Sequence, residues 1–323
     1  MRKWIKWVLL TCSIAIIAVV GYYGYSLYHF SKQTMSVPSV GPSDAAASSS
    51  SADQGEPEEL SLPPKWDGKE TVHILLLGAD SRGDKEMGRS DSIMVASINP
   101  VTKKAYLMSI MRDTYAKIPG HGSSRVNAAF SYGGSDLAMR TVGDLLGINI
   151  NYYIYTDFNG FISLVDAIGG IDLYVEKDMK YSDGGDKHRY DIDLKQGEQH
   201  LDGTTALQYV RFRHDATSDF TRTERQRKFL VAVAAKIQST SSIFKLPGIL
   251  SAVSPYIKTN LSLQDLIKLA GLGFDISPNE VVKVQIPPNQ LLQNEKVGGA
   301  AVLKTDPPAL RQYVEQVLAN KVQ

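Results

Sequence analysis

Residues 7–28 contain no Asp, Glu, Lys or Arg, and no other feature restricts the fold of this chain so strongly. At the rise of an α-helix, 22 residues reach about 33 Å, the thickness of a bilayer's hydrocarbon core. Arg2, Lys3 and Lys6 precede the run, and Trp4, Trp7, Tyr22, Tyr23, Tyr25 and Tyr28 stand near its two ends. Basic residues on the short flank favour a cytoplasmic N-terminus, and aromatic rings suit the two interfaces. A cleaved signal peptide would have an apolar core of only about 7–15 residues. The run therefore predicts an uncleaved, single-pass membrane anchor, with residues 1–6 as a cytoplasmic tail and everything after it outside the cell membrane.

Residues 29–69, including "VPSVGPSDAAASSSSADQGEPEELSLPP", are rich in Ser, Ala, Pro and Glu and carry neither helical nor strand periodicity. Such a segment cannot bury enough surface to fold, and is predicted to be a disordered tether. The rest of the chain has an ordinary apolar content. The whole carries 35 Lys+Arg against 34 Asp+Glu, a formal net charge of +1. A broad basic field of the kind that nucleic acids require is absent, so no nucleic-acid partner is expected. The single cysteine, Cys12, lies inside the anchor and excludes an internal disulfide or a cysteine-based zinc site.

From residue 70 the pattern changes. "TVHILLLG" is a short apolar run stopped by Gly78, as expected of a central strand covered on both faces. "SIMVASI" and "KAYLMSI" flank "NPVTK" as a hairpin would. "SDLAMRTVGDLLG" has helical spacing, with Ser135 as N-cap and Gly147 as stop. "NYYIYT" reads as a strand, "DFNGFISLVDAIGG" as a capped helix and "IDLYVE" as another strand. This alternation predicts a three-layer α/β/α domain with a mixed central sheet over residues 70–323.

Charged residues recur at element ends: Asp80, Arg82, Arg89 and Asp91 after the first strand, Arg112 and Asp113 in "SIMRDTY", Arg211 and Arg213 in "YVRFRHD", and Asp219, Arg222, Arg225 and Gln226 in "SDFTRTERQ". Ligands of open α/β sheets bind beyond the strand ends, where Asp80 and Arg112 fall. Two residues apart, Arg211 and Arg213 share a face only in an extended segment, so the helix "TTALQYV" should end before them. In the next helix Arg222, Gln226, Phe229, Leu230 and Val233 form one stripe, while Glu224, Arg227 and Lys228 point away. An apolar stripe that runs into arginine suits an anionic group at the mouth of an apolar cavity. Taken singly, each patch is equally readable as a set of surface ion pairs. Phe158, Phe161, Ile162 and Val165, with Phe229, Leu230 and Val233, are candidate walls for such a cavity, although periodicity alone favours an ordinary packed core. The histidines have no metal-binding spacing, and there is no Walker loop or Gly-x-Ser-x-Gly elbow.

In this order, "ILLLGADSRGDKEMGRSDSIMVASINP", "MSIMRDTYAKIPG", "RVNAAFSYGG", "DFNGFISLVDAIGGIDLYV", "LDGTTALQYVRFR" and "DFTRTERQRKFL" resemble the LytR-CpsA-Psr family of bacterial cell-envelope phosphotransferases. The resemblance implies an extracytoplasmic transferase. It would move a phosphate-linked glycopolymer, such as a teichoic acid, from a polyprenyl-pyrophosphate carrier to a sugar hydroxyl of peptidoglycan. It further implies that Asp80 and Asp91 hold Mg²⁺ or Mn²⁺, and that Arg112, Arg211, Arg213, Arg222 and Gln226 contact the pyrophosphate with Arg89 and Arg225 beside them. Arg125, which stands where many relatives have lysine, is carried over as a further substrate contact. Asp91 or Asp219 is the candidate acceptor for the attacking hydroxyl's proton. A hydrolase acting on the same lipid carrier, and a non-catalytic wall-binding or regulatory protein, are the alternatives.

Overall fold

The computed structural model describes residues 21–34, 66–79, 90–182, 188, 191–214 and 219–321. The first described segment, residues 21–34, is helical and is called α1. It continues through β1 (Val72–Ala79), β2 (Ser90–Asn99), β3 (Lys104–Ile110), β4 (Tyr115–Ile118), β5 (Gly122–Arg125), α2 (Ala128–Leu146), β6 (Tyr152–Asp157), α3 (Phe158–Ala167), β7 (Ile171–Val175), β8 (Met179–Tyr181), β9 (Ile192–Leu194) and β10 (Gly197–Leu201). The remainder is α4 (Gly203–Arg211), α5 (Asp219–Gln238), α6 (Thr240–Val253), β11 (Ile257–Thr259), α7 (Leu263–Phe274), β12 (Val282–Ile286), β13 (Gln293–Val297), β14 (Ala300–Lys304) and α8 (Pro307–Leu318).

Six strands form the central sheet in the order β11-β6-β1-β2-β3-β12. β1 and β6 are parallel, as are β3 and β12, whereas β1–β2, β2–β3 and β11–β6 are antiparallel. The sheet is thus mixed, as the hairpin at "NPVTK" requires. Alternation along β1 sends Leu75 and Leu77 into the core beneath α2 and α8. Val72 and Ile74 join a second core with Trp66, Tyr152 and Leu261. A third core lies among α3, α4, α5 and the small strands β7–β10. β7 therefore pairs with β10 and leaves the central sheet.

Local chemistry sets the elements that matter for the site. Asp157 caps α3 by accepting a hydrogen bond from the Gly160 backbone at 2.9 Å, and Asp202 caps α4 through Thr205 N at 2.8 Å. Gly147 ends α2 in the left-handed conformation, φ 73°, which costs glycine nothing. α2 runs from Ala128, but Gly133 and Gly134 break it with non-helical angles, so the helix expected from the sequence resumes at Ser135 after a kink. α4 includes Arg211 as its last residue, one position beyond the expected stop, and the chain is extended from Phe212.

At the N-terminal end, residues 7–20 of the expected anchor lie outside the described residues. Among the described residues no helix is long and apolar enough to cross a membrane. Residues 29–34, assigned to the tether by their composition, belong to α1, where Phe30 and Thr34 are buried. Packing against the folded domain orders a segment whose own composition would not. Trp66 is also buried, with Nε1 donating to Glu70 O at 2.7 Å, so the folded part starts at least four residues before residue 70.

Candidate functional site

The ends of β1 and β3, the start of β2 and the first turn of α5 meet at one pole of the sheet. Antiparallel pairing brings this about: Ala79 at the end of β1 lies opposite Ser90 at the start of β2, and Ile93 opposite Ile110 at the end of β3. Asp91 thereby comes beside Arg112, with Nη1 at 2.5 Å from Oδ1. Asp219, the first residue of α5, collects three guanidinium groups: Arg112 Nε at 3.2 Å, Arg222 Nη2 at 3.2 Å and Arg213 Nε at 3.6 Å. Arg213 also approaches Asp91 at 3.8 Å. Arg112, Arg213, Arg222 and Arg125 share Asp91, Asp219 and Asp113, so the cluster keeps a net positive charge.

The environment of each arginine differs. Burial opposes the charge of Arg112, but Asp219, Asp91 and Asp113 outweigh it and raise its pKa. Arg213 is shifted down by burial and by the neighbouring Arg112. Arg222, 3% exposed, is pushed down to about 10 by burial and by Arg213 and Arg112. Its buried Nε has no hydrogen-bond partner. A cation held this way, short of counter-charge and with an unused donor, is organised to receive an anion.

Behind the arginines is an apolar pocket of about 550 Å³. Its floor is one face of the sheet, with Leu76, Met94 and Ile154, and its walls are α3 and α5. Phe158, Phe161, Phe229, Leu230 and Val233 line it, while Ile162 and Val165 do not. The ordinary-core reading favoured by periodicity holds for Ile162 and Val165, which pack in the third core, and gives way to a cavity for the other five. Arg211, Arg213, Arg222, Gln226 and Asp91 are at the same pocket, and the Arg211 guanidinium lies 4.9 Å from the centre of the Phe158 ring. Gln226 accepts a hydrogen bond from Ser92 at 3.1 Å, which ties α5 to β2.

Three arginines are placed otherwise than their spacing suggests. Arg225 is 2% exposed and does not line the pocket; it bonds Glu176 at 2.5 Å and donates to the Phe212 carbonyl at 2.9 Å. It straps the segment between Arg211 and Arg213 onto α5, a job that helical periodicity cannot distinguish from ligand contact. Arg125 faces Asp113 at 3.0 Å at the edge of the cluster, where Asp113 is 3.8 Å from Arg112. Arg227, expected to point away, is buried and donates to Ser109 Oγ at 2.5 Å, because α5 is covered on more than one side. Asp80, Arg82 and Arg89 lie outside the described residues.

Sequence reading missed Ser92, Glu176 and Phe212. Ser92 lies directly opposite Gly78, where a Cβ would stand 3.2 Å from Ser92 Cβ, but only the strand pairing reveals this. Glu176 carries no sequence signal either, being 49 positions from Arg225. Among the described residues no group of three or more His, Cys, Asp or Glu could hold a metal. Asp91 nevertheless suits a hard cation: it is 37% exposed, and both guanidinium groups approach it most closely at Oδ1.

The LytR_cpsA_psr family model matches residues 37–318. The regulatory protein MsrR of Staphylococcus aureus (strain COL) is 37% identical over 223 residues, which is 68% of this chain and 65% of MsrR. The chain thus aligns with just under two thirds of that relative's length. The polyisoprenyl-teichoic acid–peptidoglycan teichoic acid transferase TagU of Enterococcus faecalis (strain ATCC 700802 / V583) is 38% identical over 258 residues, 79% of this chain and 80% of TagU. The solved structure of the LytR-CPS2A-psr family protein YwtF (TagT) with bound octaprenyl pyrophosphate lipid superposes with a TM-score of 0.60 at 28% identity. It covers 83% of this chain and 96% of that one. With the family model spanning most of the sequence, the chain belongs to the LytR_cpsA_psr family.

Proposed function

We propose that this protein transfers a phosphate-linked glycopolymer from a polyprenyl-pyrophosphate carrier to a sugar hydroxyl of peptidoglycan. The observation that carries the reading is the junction of an arginine cluster with an apolar pocket: one lipid, with a diphosphate head and a hydrocarbon tail, matches both. The name of the TagU relative and the octaprenyl pyrophosphate in the TagT structure support it.

In this reading Arg112, Arg213 and Arg222 hold the diphosphate, with Arg211 and Gln226 at the pocket's neck. The acceptor's hydroxyl oxygen attacks the phosphorus that carries the glycopolymer. A new P–O bond forms, the bridging P–O bond to the second phosphate breaks, and polyprenyl phosphate leaves with the electron pair. Little covalent work is asked of the protein, which positions the partners and stabilises charge on the phosphate oxygens. The leaving phosphate is a stable anion and needs no strong acid. Asp91, more exposed than Asp219 and less enclosed by guanidinium groups, is the carboxylate placed to take the hydroxyl's proton or orient it. Asp91, with Asp80, would also hold Mg²⁺ or Mn²⁺, whose contribution when bound is to neutralise nonbridging oxygens. The chain is anchored through residues 7–28 with its N-terminus cytoplasmic.

The test is the full-length protein in vesicles, given a defined lipid-linked donor and peptidoglycan oligomers with Mg²⁺, with products identified by mass spectrometry. The expected product is peptidoglycan heavier by the glycopolymer and one phosphate. Release of the glycopolymer phosphate into water alone would identify a hydrolase, and binding without either product a non-catalytic protein.

A further inference from the structure

The site does not use α1, yet α1 is built into the domain. Its shielded residues, Tyr23, Ser26, Leu27, Phe30, Ser31 and Thr34, recur at the spacing of one helical face. Phe30 is 5% and Thr34 2% exposed. Two side-chain bonds fix the helix to α6: Ser26 Oγ donates to the Pro247 carbonyl at 3.2 Å, and Ser254 Oγ donates to Gln33 Oε1. A free tether would bury neither side chain and would need no such bonds.

The outer flank of the same helix has the opposite character. Tyr22, Tyr25 and Tyr28 are 61%, 66% and 58% exposed, three aromatic rings along one side. They occupy the C-terminal end of the uncharged run, and rings with a polar tip are the residues that settle at the headgroup level of a bilayer. Thr34, the last described residue of α1, is only about 9 Å of helical rise beyond Tyr28.

From these observations we infer that α1 is a docked stalk. One face is locked onto α6 and the tyrosine flank lies in the bilayer's interface, so the pocket-bearing domain is held at the membrane surface in a fixed orientation. α6 packs on α3, which carries Phe158, Phe161 and Leu164 of the pocket wall. Ile257, three residues after Ser254, lines the same pocket. The stalk thus grips the domain one helix away from the cavity, and the stand-off from the lipid is set by α1, not by the length of residues 35–65. A carrier lipid then has only a short path from bilayer to pocket.

The inference rests on the membrane anchoring proposed above, and its test reads geometry without reading transfer. In a Cys12→Ser background, full-length Gln33→Cys/Ser254→Cys is reconstituted into phosphatidylglycerol–phosphatidylethanolamine vesicles and treated with a short bismaleimide. Intramolecular cross-linking should run close to completion, while Tyr25→Cys/Ser254→Cys, with its first thiol on the outer flank, should stay unlinked. In a second arm, a nitrobenzoxadiazole label on Tyr25→Cys should be quenched by lipids carrying a doxyl group near the headgroup. A docked pair that fails to link, equal linking of both pairs, or an unquenched label would each overturn the stalk while leaving the transferase reading intact. Protein not retained by the vesicles would overturn the stalk and the anchor together.

Discussion

Replacing Arg222 by methionine should make the ligand-free protein more stable and blind to its lipid diphosphate. In the folded protein this guanidinium titrates near 10, below its ordinary value, because it is buried and faces Arg213 and Arg112. A depression of that size corresponds to about 3 kcal/mol of destabilisation of the charged form. Asp219 is already included in that balance, and after the substitution it keeps Arg112 and Arg213 as partners. The variant therefore avoids the usual cost of orphaning a buried charge, and methionine fills much of the vacated volume. A net gain of roughly 1–3 kcal/mol is expected, or about 2–10 °C in Tm for a domain of this size. The sign also fixes the pH dependence. A cation with a lowered folded pKa is penalised at every pH below that value, and the penalty lifts as the folded group loses its proton first. The advantage of the variant should hold at neutral pH and shrink above about pH 10. Scanning calorimetry with and without geranylgeranyl diphosphate measures both effects. Wild type should gain about 2.7 kcal/mol at a ligand concentration a hundred times its Kd, and the variant much less. A variant that melts below wild type without ligand, or that retains the full ligand response, would show that Arg222 is not an undercompensated anion receptor.

Three other perturbations test separate parts of the structure. His73 is held near pKa 4 by burial, against 6.5 ordinarily, while its Nδ1 pairs with Ser97 Oγ at 2.7 Å. The unfolded chain takes up this proton first as pH falls, so stability is full above about pH 6.5 and declines by up to roughly 1.4 kcal/mol per pH unit toward pH 4. His73→Gln should flatten that slope in urea titrations, and an unchanged slope would refute the assignment. Arg225→Met removes the strap between Glu176 and the Phe212 carbonyl; a loss of about 2–4 kcal/mol is expected in urea unfolding, with weaker diphosphate binding by calorimetry. Wild-type values in both assays would count against the strap. Val233→Trp places a large side chain in the pocket, so affinity for a long prenyl diphosphate should fall while a geranyl chain still binds. Equal loss for both chains would argue that the tail does not occupy this cavity.

Local sequence was enough to specify the elements and the inventory of the site. The run "TVHILLLG" has to be a strand covered on both faces, the hairpin around "NPVTK" makes the sheet mixed, and Gly147 stops its helix, because each follows from local sterics and periodicity. The charged patches at element ends named Asp91, Arg112, Arg211, Arg213, Asp219, Arg222 and Gln226, which the fold gathers at one pole. What each face of α5 meets depended on the assembled fold. Arg222 reaches the cluster, Arg225 the Phe212 carbonyl and Arg227 Ser109, although all three lie within two turns of one helix. Periodicity reports that a side chain faces inward but not what it meets there. For the same reason the stripe of α5 did not reveal whether its apolar residues enclose a cavity or fill a core, and the composition of residues 29–34 did not reveal that α6 would bind them. Both answers depend on surfaces contributed by segments distant in sequence, whose contact free energy appears only once the chain has closed upon itself.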